Sequence, residues 1–170
     1  RLQSRSNPGM TDTSTLTREA TASVADQLQA LHRASGLAPL KLGGKSLLPI
    51  VQGGMGVGIS AHRLAGTVAS LNAVGTISSV DLRRHHPDLM ARTQDLPAGE
   101  QATQAAKQAI NEANLEALSR EIKAARAIAG DSGLLAMNIM RAVSEYGPAV
   151  KQALACGIDM VVVGAGLPLD

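Results

Sequence analysis

The chain has 170 residues, 45% hydrophobic and 18% charged, with a formal net charge of +2. That length suits one ordinary domain, and the hydrophobic fraction excludes intrinsic disorder, which needs low hydrophobicity with high net charge. No apolar run is long enough to span a bilayer, the single cysteine (Cys156) cannot close an internal disulfide, and one aromatic (Tyr146) shuts the base-stacking route to nucleic acid. The expectation is a protein with neither a membrane nor a nucleic-acid partner, and the lack of a targeting signal points to the cytoplasm.

Residues 1–15 lack apolar periodicity at their start and are expected to be a tag remnant or disordered tail. Val24, Leu28 and Leu31 have helical spacing, and Gly36 stops the pattern, which predicts an N-terminal helix over 16–36. From Leu48 onward, short aliphatic runs alternate with amphipathic stretches. The runs are Leu48–Gln52, Val74–Ser79, Leu134–Met140 and Ile158–Gly164; none alternates strictly with polar residues, as expected of parallel strands covered on both faces. Pro49 is tolerable only near the start of its strand.

Helices are predicted between these runs. Leu64, Val68 and Leu71 make one stripe, with Ser60 placed as an N-cap. Leu115, Leu118, Ile122 and Ala125 make another, with Glu116 and Arg120 paired on the opposite face. Pro148 could open a third helix and Gly157 close it. A polar insertion at about 81–111 interrupts the rhythm. The order is that of an α/β protein.

The chemistry gathers after each strand. Gln52 is followed by Gly53, Gly54, Met55, Gly56, Val57 and Gly58; Thr76 and Ser78 end the second strand, Asn138 nears the end of the third, and Gly164 and Gly166 follow the fourth. In parallel α/β folds the carboxyl ends of the strands form the ligand rim, and glycines there admit a ligand to the backbone N–H groups. Tight turns alone would explain one such cluster; four together favour a site. Gly56-x-Gly58-x-x-Ala61, with Asp81 at the end of the second strand, also matches a dinucleotide fingerprint, so a small NAD-binding Rossmann-like domain is an alternative.

The segment LPIVQGGMGVGISAHRLAGTVASLNAVGTISS, from Leu48 to Ser79, resembles the opening of the nitronate monooxygenase (2-nitropropane dioxygenase-like) family. LLAMNIM and ACGIDMVVVGAGLPLD are similar to its third and fourth strands. The resemblance implies an FMN-dependent TIM (β/α)8 barrel, of which residues 37–170 would supply the N-terminal half with about the first four strands. It implies oxidation of alkyl nitronates by O2 to a carbonyl compound and nitrite. A flavin-dependent enoyl-acyl-carrier-protein reductase of fatty-acid or polyketide synthesis shares the same loop and stays open. Residue by residue, Gly53, Gly54, Met55 and Gly56 match the loop against the flavin ring, Asn138 matches a flavin-bonding asparagine, and Thr76 and Ser78 match the strand end facing flavin and substrate. The family's catalytic histidine is expected beyond Asp170, so no catalytic residue is assigned in this chain.

A lone half barrel would expose two sheet edges and its inner face, so the remaining C-terminal half is an expected partner, along with a nitronate or enoyl substrate and a possible homodimer. No metal site is expected: His85 and His86 splay apart and are taken as solvated surface residues, and none of His32, His62, His85 or His86 matches the family histidine. Cys156 is expected to be a structural thiol. GGKS at Gly43–Ser46 is set aside as a phosphate loop because Pro39 replaces its first glycine and a strand follows it.

Overall fold

A computed structural model describes residues 13–97 and 99–167. Of the tail expected over 1–15, residues 1–12 lie outside the described residues. The chain divides into two units, 1–37 and 38–170. The first carries α1 (Thr13–Ser35). Its end is closed locally: Gly36 takes a left-handed φ of 71°, Ser35 Oγ donates to the His32 carbonyl, and the Leu37 N–H donates to Ser35 Oγ.

The second unit opens with a hairpin, β1 (Leu40–Leu42) and β2 (Lys45–Leu47), paired antiparallel. Gly43 and Gly44 turn it with φ of 57° and 75°, the two left-handed residues that a tight hairpin turn requires. Gly43–Ser46 is thus a hairpin turn and the start of β2. Then follow α2 (His62–Ser70), β3 (Val74–Ser78), a 3-10 turn Leu82–His85, α3 (Pro87–Thr93), a 3-10 turn Gly99–Gln101, α4 (Gln104–Ala129), β4 (Leu134–Met140), α5 (Tyr146–Ala155) and β5 (Met160–Gly164). Thr103 caps α4, its side chain accepting from the Ala106 N–H.

β3, β4 and β5 form a parallel sheet in sequence order, with Ser78 opposite Asn138 and Asn138 opposite Val162. This corrects the expected TIM barrel. Among the described residues the parallel sheet has three strands and does not close, and the class is α/β with a separate two-stranded hairpin. The run expected as the first of four strands, Leu48–Gln52, shrinks to a single parallel bridge between Val51 and Val74. The donor lost to the ladder is the Ile50 N–H, which turns back across Pro49 to the Leu48 carbonyl at 2.7 Å. Gln52 N–H to Val74 O and Val74 N–H to Ile50 O make the bridge, and the Leu48 N–H donates to Asn72 O just before β3.

The polar insertion is more ordered than its composition suggests. It holds both 3-10 turns, α3 and the first turns of α4, with Leu82 and Leu89 fully buried. α5 begins at Tyr146, two residues ahead of Pro148, which sits in its first turn where no intrahelical donor is needed.

Two cores lie on the two sides of the sheet. Ile77, Leu135, Met137 and Ile139 pack with Ala65 and Ala69 of α2, Leu118 and Ile122 of α4, and Ala149 and Ala153 of α5. Val74, Leu134 and Ala136 pack on the other side with Leu47, Leu40 and Leu42 of the hairpin, and with Met160 and Val162. Alternate residues of each strand serve alternate cores, the period-two rule of a pleated strand. α2 lies so close to β3 that a Cβ on Gly75 would fall on the Ala65 carbonyl.

Candidate functional site at the glycine loop

The loop from Gly53 to Ser60 leaves the Val51 bridge and runs over the carboxyl ends of β3 and β4. Gln52 anchors its start. Its Oε1 accepts from the Thr76 N–H at 2.8 Å, and its Nε2 donates to Ser60 Oγ at 2.9 Å and to the Gly53 carbonyl. Ser60 anchors its end: the Met55 N–H donates to Ser60 Oγ at 2.9 Å, the Ser60 N–H donates to Met55 O, and the Ser78 N–H donates to Ser60 O. Ser60 is fully buried and is not the cap of α2; Ala61 holds that position with no side-chain bond. The expected cap is therefore a loop staple.

The loop brings most of the expected site residues together. A Cβ on Gly54 would lie 2.5 Å from Asn138 Cβ and 3.3 Å from Thr76 Cγ2, so Gly54, Thr76 and Asn138 share one contact. A Cβ on Gly56 would lie 3.8 Å from Ser78 Oγ, which pairs those two. Thr76 and Ser78 are both 1% exposed, so the loop covers them instead of leaving them open to a ligand. Gly53, Met55 and Gly56 are exposed, with open space where a Cβ of Gly53 would stand. Asn138 is half-buried, and its Nδ2 reaches the Val162 carbonyl only at 3.4 Å. Thr76 Oγ1 is buried without a hydrogen-bond partner. Gly164 lies beside Asn138 Nδ2 across β4 and β5.

The tip of the loop is strained. Val57, a β-branched residue, has a φ of 49°, and Gly58 follows at 83°. The Nε2 edge of the His85 imidazole lies directly on Gly58, where a Cβ would overlap it.

Behind the loop, Glu121 of α4 is 1% exposed. Its Oε2 accepts from the His62 backbone N–H at 2.8 Å and lies 2.7 Å from His62 Nδ1; its Oε1 lies 3.1 Å from His86 Nε2, close but not aligned as a hydrogen bond. The expectation of a solvated His85-His86 pair therefore fails for His86, which is half-buried against Glu121. Glu121 stands in the buried row Ala117, Glu121, Ala125, and a carboxylate at helical spacing within an apolar stripe was the available signal. Among the described residues no group of His, Cys, Asp or Glu has metal-holding geometry.

A cavity of about 240 Å³ lies elsewhere, between the ends of β3 and β4 and the helices α4 and α5, reached by Asp81, Asn111, Leu118, Ile139 and Glu145. Its carboxylates are engaged. Asp81 meets Arg83 Nε at 2.9 Å and also Arg84. Burial pushes the Glu145 carboxyl up, but hydrogen bonds from Ser144, its own backbone and Asn111 together leave it below its ordinary value. Cys156 is half-buried at the end of α5, 4.0 Å from Gln152 Nε2.

No protein-family model matches the chain, and no curated protein matches it. Among the described residues no helix is long and apolar enough to cross a membrane.

Proposed function

We propose that the chain binds FMN against the glycine loop and serves an oxidoreductase of the nitronate monooxygenase type. The observation that carries this reading is the convergence of Gly54, Thr76 and Asn138 at the carboxyl ends of parallel strands, with Thr76 Oγ1 buried and unpartnered. A buried hydroxyl without a partner is costly, and Thr76 would gain one from a polar ligand that displaces Gly54 from above it. The residues present fit an isoalloxazine. Gly53 and Gly56 offer exposed backbone, the weakly held Asn138 amide can exchange its 3.4 Å contact for a shorter bond, and half-exposed Met55 offers a soft apolar surface.

FMN held there would supply the redox chemistry that links substrate and dioxygen. The chain's own work is binding and orientation. Gln52 and Ser60 fix the loop backbone, Asn138 presents a hydrogen-bonding amide, and Met55 covers one face.

The dinucleotide reading is weaker on two counts. The N-terminus of α2, where a pyrophosphate would sit, already holds the Glu121 carboxylate. Asp81, which would take the ribose, is paired with Arg83 and Arg84.

The test is a visible absorption spectrum of the purified protein, a titration with FMN, and mass identification of any released cofactor. Near-stoichiometric FMN supports the reading; a colourless protein that takes up no FMN but binds NAD overturns it. Reduction of the bound flavin by NAD(P)H in place of a nitronate would move the activity to an enoyl reductase.

A further inference from the structure

We infer that Glu121 and the segment Leu82–His86 form a clamp that positions the glycine loop, with His85 closing on its tip and His86 and His62 meeting on the buried Glu121 carboxylate. As a positioning device for the flavin rim this rests on the function proposed above; as a mechanical device it does not.

Three observations converge on the clamp. First, the loop tip is strained and its apolar side chains are not held by burial: Val57 is 60% exposed and Ile59 64%, while Val57 sits at a φ that β-branched residues avoid. A conformation of that kind persists only when its surroundings over-determine it. Gln52 and Ser60 secure the base of the loop, and His85 is what lies on the tip at Gly58.

Second, α2 begins directly after the loop without a side-chain cap of its own. Glu121, from a helix far along the chain, takes that role: its carboxylate receives the His62 N–H and faces the positive end of the α2 dipole. The place at which the loop ends is therefore set by α4.

Third, His85 and His86 are adjacent and divide the work. His85 lies on the loop tip while His86 reaches the carboxylate that holds the loop's far end. The neighbouring charges are settled among themselves: Asp81 with Arg83 and Arg84, and Asp88 with Arg120. This leaves the two imidazoles as the groups that pair with Glu121. Arg83 is nine-tenths buried and donates to Thr93 Oγ1 at 2.9 Å, which ties the clamp segment to α3.

The experiment is amide hydrogen exchange on Glu121→Gln and His85→Ala, read beside FMN affinity and the spectrum of the bound flavin. Glu121→Gln removes the charge with little change of shape; exchange at residues 55–62 is expected to quicken by about tenfold, with β3 and β4 amides unchanged. His85 is exposed, so His85→Ala leaves the core intact and carries the test if the Glu121 variant does not fold; it should quicken exchange at 56–59 alone. FMN binding should weaken by about tenfold in both variants, with a shifted flavin spectrum. Unchanged loop exchange in His85→Ala, or exchange that quickens equally through β3 and β4, overturns the clamp. If the wild-type chain takes no FMN, the proposed function falls while the exchange pattern still decides the clamp. If the loop loosens and FMN affinity and spectrum hold, the positioning role is overturned.

Discussion

The two sides of the parallel sheet are built from the same strands and do opposite jobs. On the helix-covered side, Ile77, Leu135, Met137 and Ile139 form an aliphatic layer closed by α2, α4 and α5. On the other side the apolar character holds only for the first residues of each strand, under the hairpin, and then gives way to Thr76, Ser78 and Asn138 under the glycine loop. Burial is nearly complete on both sides of β3, so exposure does not separate them. Polarity does. A strand that keeps hydroxyls and an amide buried at one end forgoes stability that aliphatic side chains would provide there, and such local departures from good packing are where function is found.

Neighbouring positions on β3 break the comparison most sharply. Gly75→Ala should be the most damaging change, because the added methyl meets the backbone carbonyl of Ala65, which has no flexible end to move. A loss of about 3–5 kcal/mol is expected, seen as poor soluble yield and an early thermal transition by circular dichroism. Ile77→Ala comes next, at about 3 kcal/mol in denaturant unfolding, since it empties a fully buried site on the helix-covered side.

Thr76→Val, one residue earlier, should behave differently. It replaces a buried hydroxyl that has no partner by a methyl of the same shape, so stability should stay within about 1 kcal/mol of the parent or rise. FMN affinity should nevertheless fall, by about tenfold in a fluorescence titration. A variant that loses stability and keeps FMN would place the rim on the structural side of the comparison.

How much of this was legible in the sequence differs between the two sides in the same way. The aliphatic runs at 74–79 and 134–140 mark β3 and β4 because buried parallel strands need nothing beyond local composition. The run at 48–52 looks equally aliphatic, and Pro49 is acceptable at the start of a strand, yet the Ile50 N–H turns back to the Leu48 carbonyl and leaves one bridge. The hairpin was missed although Gly43 and Gly44 between short Leu- and Lys-bearing runs are its ordinary signal. At the site, the glycines, Thr76, Ser78 and Asn138 announce themselves by position after a strand. Gln52, Ser60 and Glu121 do not, because the contacts that tie them to the rest of the fold, such as Gln52 to Thr76 and Glu121 to His62, span 24 and 59 residues and only folding joins them.

The smallest expected effect concerns the outer face of α4, away from both sides of the sheet. Arg120 makes paired hydrogen bonds to Asp88 at 2.9 and 2.8 Å, and Glu116 joins it together with Arg92. The hydrogen bonds from Arg120 hold the Asp88 carboxyl down at about 2, and those from Arg92 and then Arg120 hold Glu116 below its ordinary value. Because these carboxyls are depressed in the folded chain, their contribution is present above the unfolded pKa and is lost as pH falls from about 4 toward 2. The groups are exposed, so the network is screened by water and salt and contributes little. Asp88→Asn should therefore leave stability at neutral pH almost unchanged and flatten only the acid limb of the unfolding curve. Carboxyl titration by NMR should show Asp88 moving back toward the ordinary aspartate range in about 1 M salt, which shortens the screening length to about 3 Å. A large loss of stability at neutral pH in Asp88→Asn would instead mean that α3 is held to α4 by this pair more than by the burial of Leu89, and the insertion would owe its order to charge and not to its core.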